Sequence, residues 1–258
     1  MVQCADMLIT SLKSHIPFFA KIKAIRDVIS GKMHGKKVRF SEDGMATVHN
    51  CDFTADQRFQ RAVALGAATG SWYGSSIRWR AYTICWAAER AMGLPGDFVE
   101  CGVNRGGFAR MILDYVDFDD SDKQFFLFDT FKGLEESHLT RAEQSREPFL
   151  YTDCLDEVKQ TFSSFRSIHI VPGTVPETLS STTIERVAFL SIDMNCVGPE
   201  IAAAEHFWPK LVSGSVMVLD DYGWEDHLEQ KHAFDEFARS RGVSVLSLPT
   251  GQGLIFKP

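Results

Sequence analysis

From residue 97 to the end of the chain, short apolar runs alternate with stretches whose apolar residues recur at helical spacing. The runs at 97–101, 124–129, 167–171, 187–193 and 215–220 predict strands. The amphipathic stretches near 106–116, 154–164, 199–210 and 226–241 predict the helices between them. Residues 243–248 and 252–257 predict a closing pair of strands around the turn sequence PTGQG. Upstream, Thr54-Ala-Asp-Gln57 has the spacing of a capping box that opens a helix. A longer helix is expected over 75–96, ended by Gly93 with Pro95 just beyond. Residues 37–48 read as a hairpin turned at Gly44, and 5–30 as two short amphipathic helices, with Pro17 in the first turn of the second. Alternation of strand and helix gives an α/β architecture, a mostly parallel seven-stranded sheet with helices on both faces. A helical and hairpin extension, 1–53, precedes that domain, 54–258.

Composition narrows the class without naming a function. A chain of 258 residues with 45% hydrophobic and 24% charged residues can bury a sizeable core. The net charge of −7 argues against a general nucleic-acid binder, although residues 1–40 carry eight Lys/Arg against Asp6 and Asp27. The apolar stripe over 5–30 calls for a partner surface, which favours a homo-oligomer; a basic amphipathic helix can also lie on a membrane. No apolar run approaches the ~18–20 residues of a transmembrane helix. The six cysteines have no metal-type spacing, so they are read as reduced thiols in a cytoplasmic protein. Cys101 and Cys196 are taken as small buried hydrophobes.

In sheets of this kind ligands bind beyond the carboxyl ends of the strands, and the chemistry-bearing residues fall there. GDFVECGVNRGGFARMI, 96–112, is a strand, a glycine-bearing turn and a helix whose N-terminus favours anionic groups. Gly102, Gly106 and Gly107 allow close approach of backbone to a ligand. Asn104 takes the place of the second glycine of G-x-G-x-x-G, so a strict dinucleotide site is a poor match. Glu100, at the strand end, suits a ligand with an ammonium group, such as the methionine end of S-adenosylmethionine. Asp129 ends the next strand, where a carboxylate can accept from both hydroxyls of a ribose. Asp193, Asp220 and Asp221 end two strands that, if adjacent, lie about 4.8 Å apart. Carboxylates that close repel one another unless a cation neutralises them, and an all-oxygen set favours Mg²⁺, Mn²⁺ or Ca²⁺ over zinc. A divalent ion there could hold a vicinal diol and acidify one hydroxyl. His227, and less so His232, is placed to act as a general base. Tyr222 and Trp224 are candidates to wall the acceptor site, and the polar stretch 134–153 to cover it.

GDFVECGVNRGG, LFDTFKGL, GTVPETL, LSIDMN and GSVMVLDDYG resemble, in order, the motifs of the macrocin O-methyltransferase family, over about 75–258. The resemblance implies a Rossmann-like class I methyltransferase that uses S-adenosylmethionine and Mg²⁺ (or Mn²⁺) to methylate a hydroxyl of a sugar, glycoside or related small molecule in secondary metabolism. It implies cofactor contacts from Glu100, Gly102, Asn104, Arg105, Gly106 and Gly107, a ribose held by Asp129 beside Thr130 and Phe131, and adenine near Gly173 and Thr174. Asp193, Asp220 and Asp221 match the metal ligands. The family often has D-x-D where this chain has Asp193-Met-Asn195, and an amide takes up no proton at neutral pH. Asp193 itself, His227, or a different chemistry then has to supply the base. Two other readings stand beside this one: an NAD(P)-dependent oxidoreductase, and a cofactor-binding partner protein without catalysis.

Overall fold

The computed structural model describes residues 30–33, 35–144 and 151–258. Contacts divide the chain into two compact units, Met1–Asp52 and Phe53–Pro258. In the first, Lys32–Met33 (β1) pairs with Lys36–Lys37 (β2), and Phe40–Glu42 (β3) with Met45–Thr47 (β4), both antiparallel. Asp43 and Gly44 join β3 to β4 at φ of 50° and 73°. Two successive left-handed residues make a type I′ turn, which matches the twist of paired strands. The hairpin expected over 37–48 is therefore present, tightened to 40–47. The amphipathic helices expected over 5–30 lie outside the described residues up to position 29.

The second unit opens with helix α1 (Gln57–Ala68). Its cap is Asp56, whose side chain accepts from Phe59 N at 2.8 Å. The capping box expected at Thr54 is thus displaced by two residues, because Thr54 lies in a 3-10 turn, Asp52–Ala55. Helix α2 (Arg78–Met92) follows, then β5 (Asp97–Cys101), α3 (Gly107–Tyr115) and β6 (Phe125–Asp129). The connection from β6 carries a single helical turn, α4 (Arg141–Gln144), before α5 (Leu155–Phe162) and β7 (Ile168–Pro172). The chain then runs β8 (Val187–Ile192), α6 (Val197–Phe207), β9 (Leu211–Leu219), α7 (Leu228–Ser240), β10 (Leu246–Ser247) and β11 (Gly253–Phe256).

Seven strands form one sheet in the order β10-β11-β9-β8-β5-β6-β7. Every pair from β9 to β7 is parallel, and β11 alone in this sheet runs against its neighbours. Alternate residues of each strand feed opposite faces. Phe98, Leu127 and Val218 meet α1, α2, α3 and α5 on one side, with Phe59, Ile84, Met111 and Phe162 among the contacts. Val99, Phe128, Leu190 and Met217 meet α6 and α7 on the other, against Ala203, Phe207, Phe234 and Phe237. All six residues of β8 are buried, as expected of a central strand covered on both faces. The order reverses between β5 and β8: the chain builds outward from β5 through β7, then returns to lay β8 on the other side. Such a reversal opens a crevice at the carboxyl ends of the two strands.

Candidate active site

The turn after β5 is fixed by contacts with the tips of its two neighbours. Gly102 N donates to Phe128 O at 2.9 Å, and Asp193 N donates to Cys101 O at 2.8 Å. Gly102 has φ +90°, and a Cβ there would lie 1.8 Å from the backbone oxygen of Asp193. Asp129, at the end of β6, braces the same turn. Its Oδ2 accepts from Val103 N at 2.6 Å and from Asn104 N at 2.8 Å, while Oδ1 accepts from Phe131 N at 2.7 Å. The glycines at 106 and 107 also serve internal packing. A Cβ on Gly106 would lie 2.5 Å from the Phe162 ring, and one on Gly107 2.8 Å from Ser71 Cβ. The close approaches that require glycine here are to the protein itself, where sequence reasoning assigned them to a ligand.

Strand register brings the acidic tips together. Ile192 pairs with Leu219, and Asp220 N donates to Ile192 O at 3.1 Å. Asp193, Asp220 and Asp221 then offer carboxylate oxygens that all lie within 4.8 Å of one another. Burial, followed by the charges of Asp220 and Asp221, pushes the Asp193 carboxyl well above its ordinary range, and Arg80 opposes the shift. Asn195, in a left-handed conformation at φ 59°, donates Nδ2 to Asp193 Oδ1 at 3.2 Å. Asp220 is held from two sides, by Arg80 Nη1 at 2.7 Å on Oδ2 and by Gln252 Nε2 at 3.0 Å on Oδ1. Three hard, negatively charged donors without nitrogen or sulfur fit Mg²⁺ or Mn²⁺ in kind and spacing.

A second polar layer lies behind the cluster. His227, buried on a 3-10 turn before α7, places Nδ1 3.7 Å from Asp221 Oδ2 and in contact with Gln230 Oε1. Gln230 Nε2 donates to Glu200 Oε1 at 2.9 Å, and Met194 N donates to the same oxygen at 3.0 Å. Burial, then Asp221, raises the Glu200 carboxyl to about 8.

A cavity of about 410 Å³ opens over these groups. Gly102, Asn104, Asp129, Thr130, Phe131, Gly173 and Thr174 line it, together with Asp193, Asp220, Asp221 and His227. Four expected cofactor residues lie outside its wall. Gly106 and Gly107 pack as described, and Arg105 pairs with Glu157 and Thr152. Glu100 is buried beneath the turn, its Oε2 without a hydrogen-bond partner among the described residues, and burial, then Asp129 and Asp220, raises its carboxyl well above the ordinary value. Trp224 is on the wall, but Tyr222 is not: it is buried in the core and donates to Asp235 at 2.6 Å. His232 is exposed. Cys101 and Cys196 are buried, as expected, although Cys196 also touches the cavity. Sequence reasoning missed Trp72, Tyr73 and Arg80, and did not single out Tyr151 within the covering stretch. Of the covering stretch 134–153, residues 145–150 lie outside the described residues; Leu134, Glu135, His138, Tyr151 and Thr152 line the cavity. Glu143 anchors this stretch, accepting from Thr140 N and, at the start of α6, from Val197 N, each at 2.7 Å.

The sheet order and the turn at its switch point are those of a class I methyltransferase fold. The solved structure of the O-methyltransferase NovP superposes with a TM-score of 0.60 at 22% identity, covering 69% of this chain and 79% of that one. The calicheamicin methyltransferase CalS11 superposes with a TM-score of 0.57 at 16% identity, covering 81% and 94%. The macrocin-O-methyltransferase (TylF) family model matches residues 32–246, and the chain belongs to that family. Mycinamicin III 3''-O-methyltransferase of Micromonospora griseorubida is 31% identical over 145 residues, which cover 50% of this chain and 56% of that protein. The 8-demethyl-8-(2,3-dimethoxy-alpha-L-rhamnosyl)-tetracenomycin-C 4'-O-methyltransferase of Streptomyces olivaceus is 28% identical over 151 residues, 54% of this chain and 57% of that protein. The chain thus matches about half the length of these curated relatives. No helix among the described residues is long and apolar enough to cross a membrane.

Proposed function

We propose that the chain is an S-adenosylmethionine-dependent, divalent-metal-dependent O-methyltransferase of secondary metabolism that acts on a hydroxyl of a sugar, glycoside or related small molecule. The observation that carries this reading is the convergence on one cavity of the β5 turn, braced by Asp129, and the acidic cluster of Asp193, Asp220 and Asp221. Family membership supports the methyl donor, and the rhamnosyl-bearing substrate in one relative's name supports a glycosidic acceptor.

When bound, S-adenosylmethionine would supply the methyl group, and Mg²⁺ or Mn²⁺ held by Asp193, Asp220 and Asp221 would acidify the acceptor hydroxyl. Gly102, Asn104, Asp129, Thr130 and Phe131 would line the donor's place, with Gly173 and Thr174 beside them, since Gly173 N donates to Asp129 O at 2.9 Å. Glu100 lies beneath the turn, where the charge of a cationic ligand end would favour its ionised form. Trp72, Phe108 and Tyr151 exclude water around the reacting atoms. Asn195 cannot accept a proton, so His227, oriented by Gln230, takes the proton of the hydroxyl. Asp193 orients that hydroxyl.

The test is transfer of labelled methyl from S-adenosylmethionine to a panel of rhamnosides and other vicinal-diol glycosides. Transfer is expected with Mg²⁺, and its loss is expected with EDTA or in Asp221→Asn. Transfer unaffected by EDTA would remove the metal from the reading; failure to bind S-adenosylhomocysteine would remove the methyl donor.

A further inference from the structure

Arg80 stands out because it introduces a fixed positive charge into a cluster otherwise suited to a divalent ion. It comes from α2, far in sequence from the strand tips, yet its Nη1 lies 2.7 Å from Asp220 Oδ2. The pair is largely buried, with side chains 13% and 3% exposed. Gln252 occupies the other oxygen of Asp220, and the guanidinium also lies 5.3 Å from the Trp224 ring. An ion bound by the three carboxylates therefore shares Asp220 with a guanidinium.

We propose that Arg80 is a built-in counter-cation of the acidic cluster, which compensates the ion-free site and holds divalent affinity down. This inference rests on the metal reading above. A carboxylate oxygen has two lone pairs, so the guanidinium does not exclude an ion sterically. It opposes one by charge, because a unit positive charge and a divalent ion are brought onto one carboxylate in a largely buried site. Ion affinity then rises when a further anionic oxygen joins the cluster, as an ionised acceptor hydroxyl would.

Mn²⁺ affinity, measured by calorimetry and by water-proton relaxation on the whole chain, tests this without an activity assay. Arg80→Met and Arg80→Gln should each tighten Mn²⁺ binding by about tenfold or more, since even at the dielectric of water unit charges about 4 Å apart interact appreciably and the ion carries two. Arg80→Lys should bind as wild type does. If Arg80→Met does not fold, Arg80→Gln, which keeps a hydrogen-bond donor for Asp220, carries the test. Mn²⁺ binding in a folded neutral variant that equals or falls below wild type would overturn the proposal and leave the metal reading standing. Absence of Mn²⁺ binding in wild type and all variants would overturn both.

Discussion

Glu200 connects the site to a measurable pH dependence. The residue is 4% exposed, and its carboxyl accepts from Met194 N and Gln230 Nε2 and is raised from 4.5 to about 8 by burial and then by Asp221. The folded state therefore holds this proton more tightly than the unfolded state does. The resulting stabilisation is complete below 4.5 and is lost as pH rises through about 8. If the whole shift is expressed, the loss amounts to at most about 5 kcal/mol. Urea unfolding of wild type and Glu200→Gln in EDTA, from about pH 5 to about pH 9, isolates this contribution. Glutamine keeps an oxygen for Met194 N and Gln230 and does not titrate. Glu100 is common to both proteins, and Asp193 changes only by the part of its shift that Glu200 supplies, which is smaller than those of burial, Asp220 and Asp221. Wild type should lose stability more steeply than the variant, by several kcal/mol across that range. Parallel curves would refute the linkage of Glu200 to its buried, acidic surroundings.

Three further substitutions probe the turn and the cluster. Gly102→Ala places a Cβ 1.8 Å from Asp193 O at φ +90° and should destabilise the protein by more than about 3 kcal/mol in chemical unfolding; a loss below about 1 kcal/mol would contradict the packing described. Asp129→Asn retains one accepting oxygen for amides that now use two, so stability should fall by about 1–3 kcal/mol and S-adenosylhomocysteine affinity by about tenfold or more; unchanged affinity in calorimetry would separate Asp129 from the cofactor. Asn195→Asp replaces a donor 3.2 Å from Asp193 with a like charge. It should destabilise the ion-free protein by about 1–3 kcal/mol while tightening Mn²⁺ binding, and weaker Mn²⁺ binding would count against a cation among these carboxylates.

What the chain's pattern revealed, and what it hid, follows from the range of the signals. Each strand is a local apolar run, and Asp129, Asp193 and Asp220 stand out because a charge ends such a run. Once the sheet order is known, their convergence follows. Arg80, by contrast, lies on a helix 140 residues from the carboxylate it pairs with, and no local pattern marks it. Trp72, Tyr73 and Tyr151 sit in loops, where an aromatic residue looks alike whether it lines a cavity or covers a core. Tyr222 shows the converse, since it directly follows the acidic pair yet turns inward to Asp235. Glycines proved ambiguous as well. A glycine reads as permission for close approach without saying to what, and Phe162 and Ser71 stand where a Cβ on Gly106 or Gly107 would go. The cap of α1 moved from Thr54 to Asp56 because both residues have capping side chains and only tertiary contacts choose between them.

The most direct test of an S-adenosylmethionine site facing a divalent-ion site is one calorimetric series. Wild type and Asp220→Ala are titrated with S-adenosylmethionine, and each is then titrated with Mg²⁺. Saturable binding of S-adenosylmethionine to both proteins, with Mg²⁺ binding to wild type and its loss in Asp220→Ala, is the result expected. Failure of wild type to bind S-adenosylmethionine would contradict the methyltransferase reading, and equal Mg²⁺ binding by the two proteins would contradict the assignment of the ion to these carboxylates.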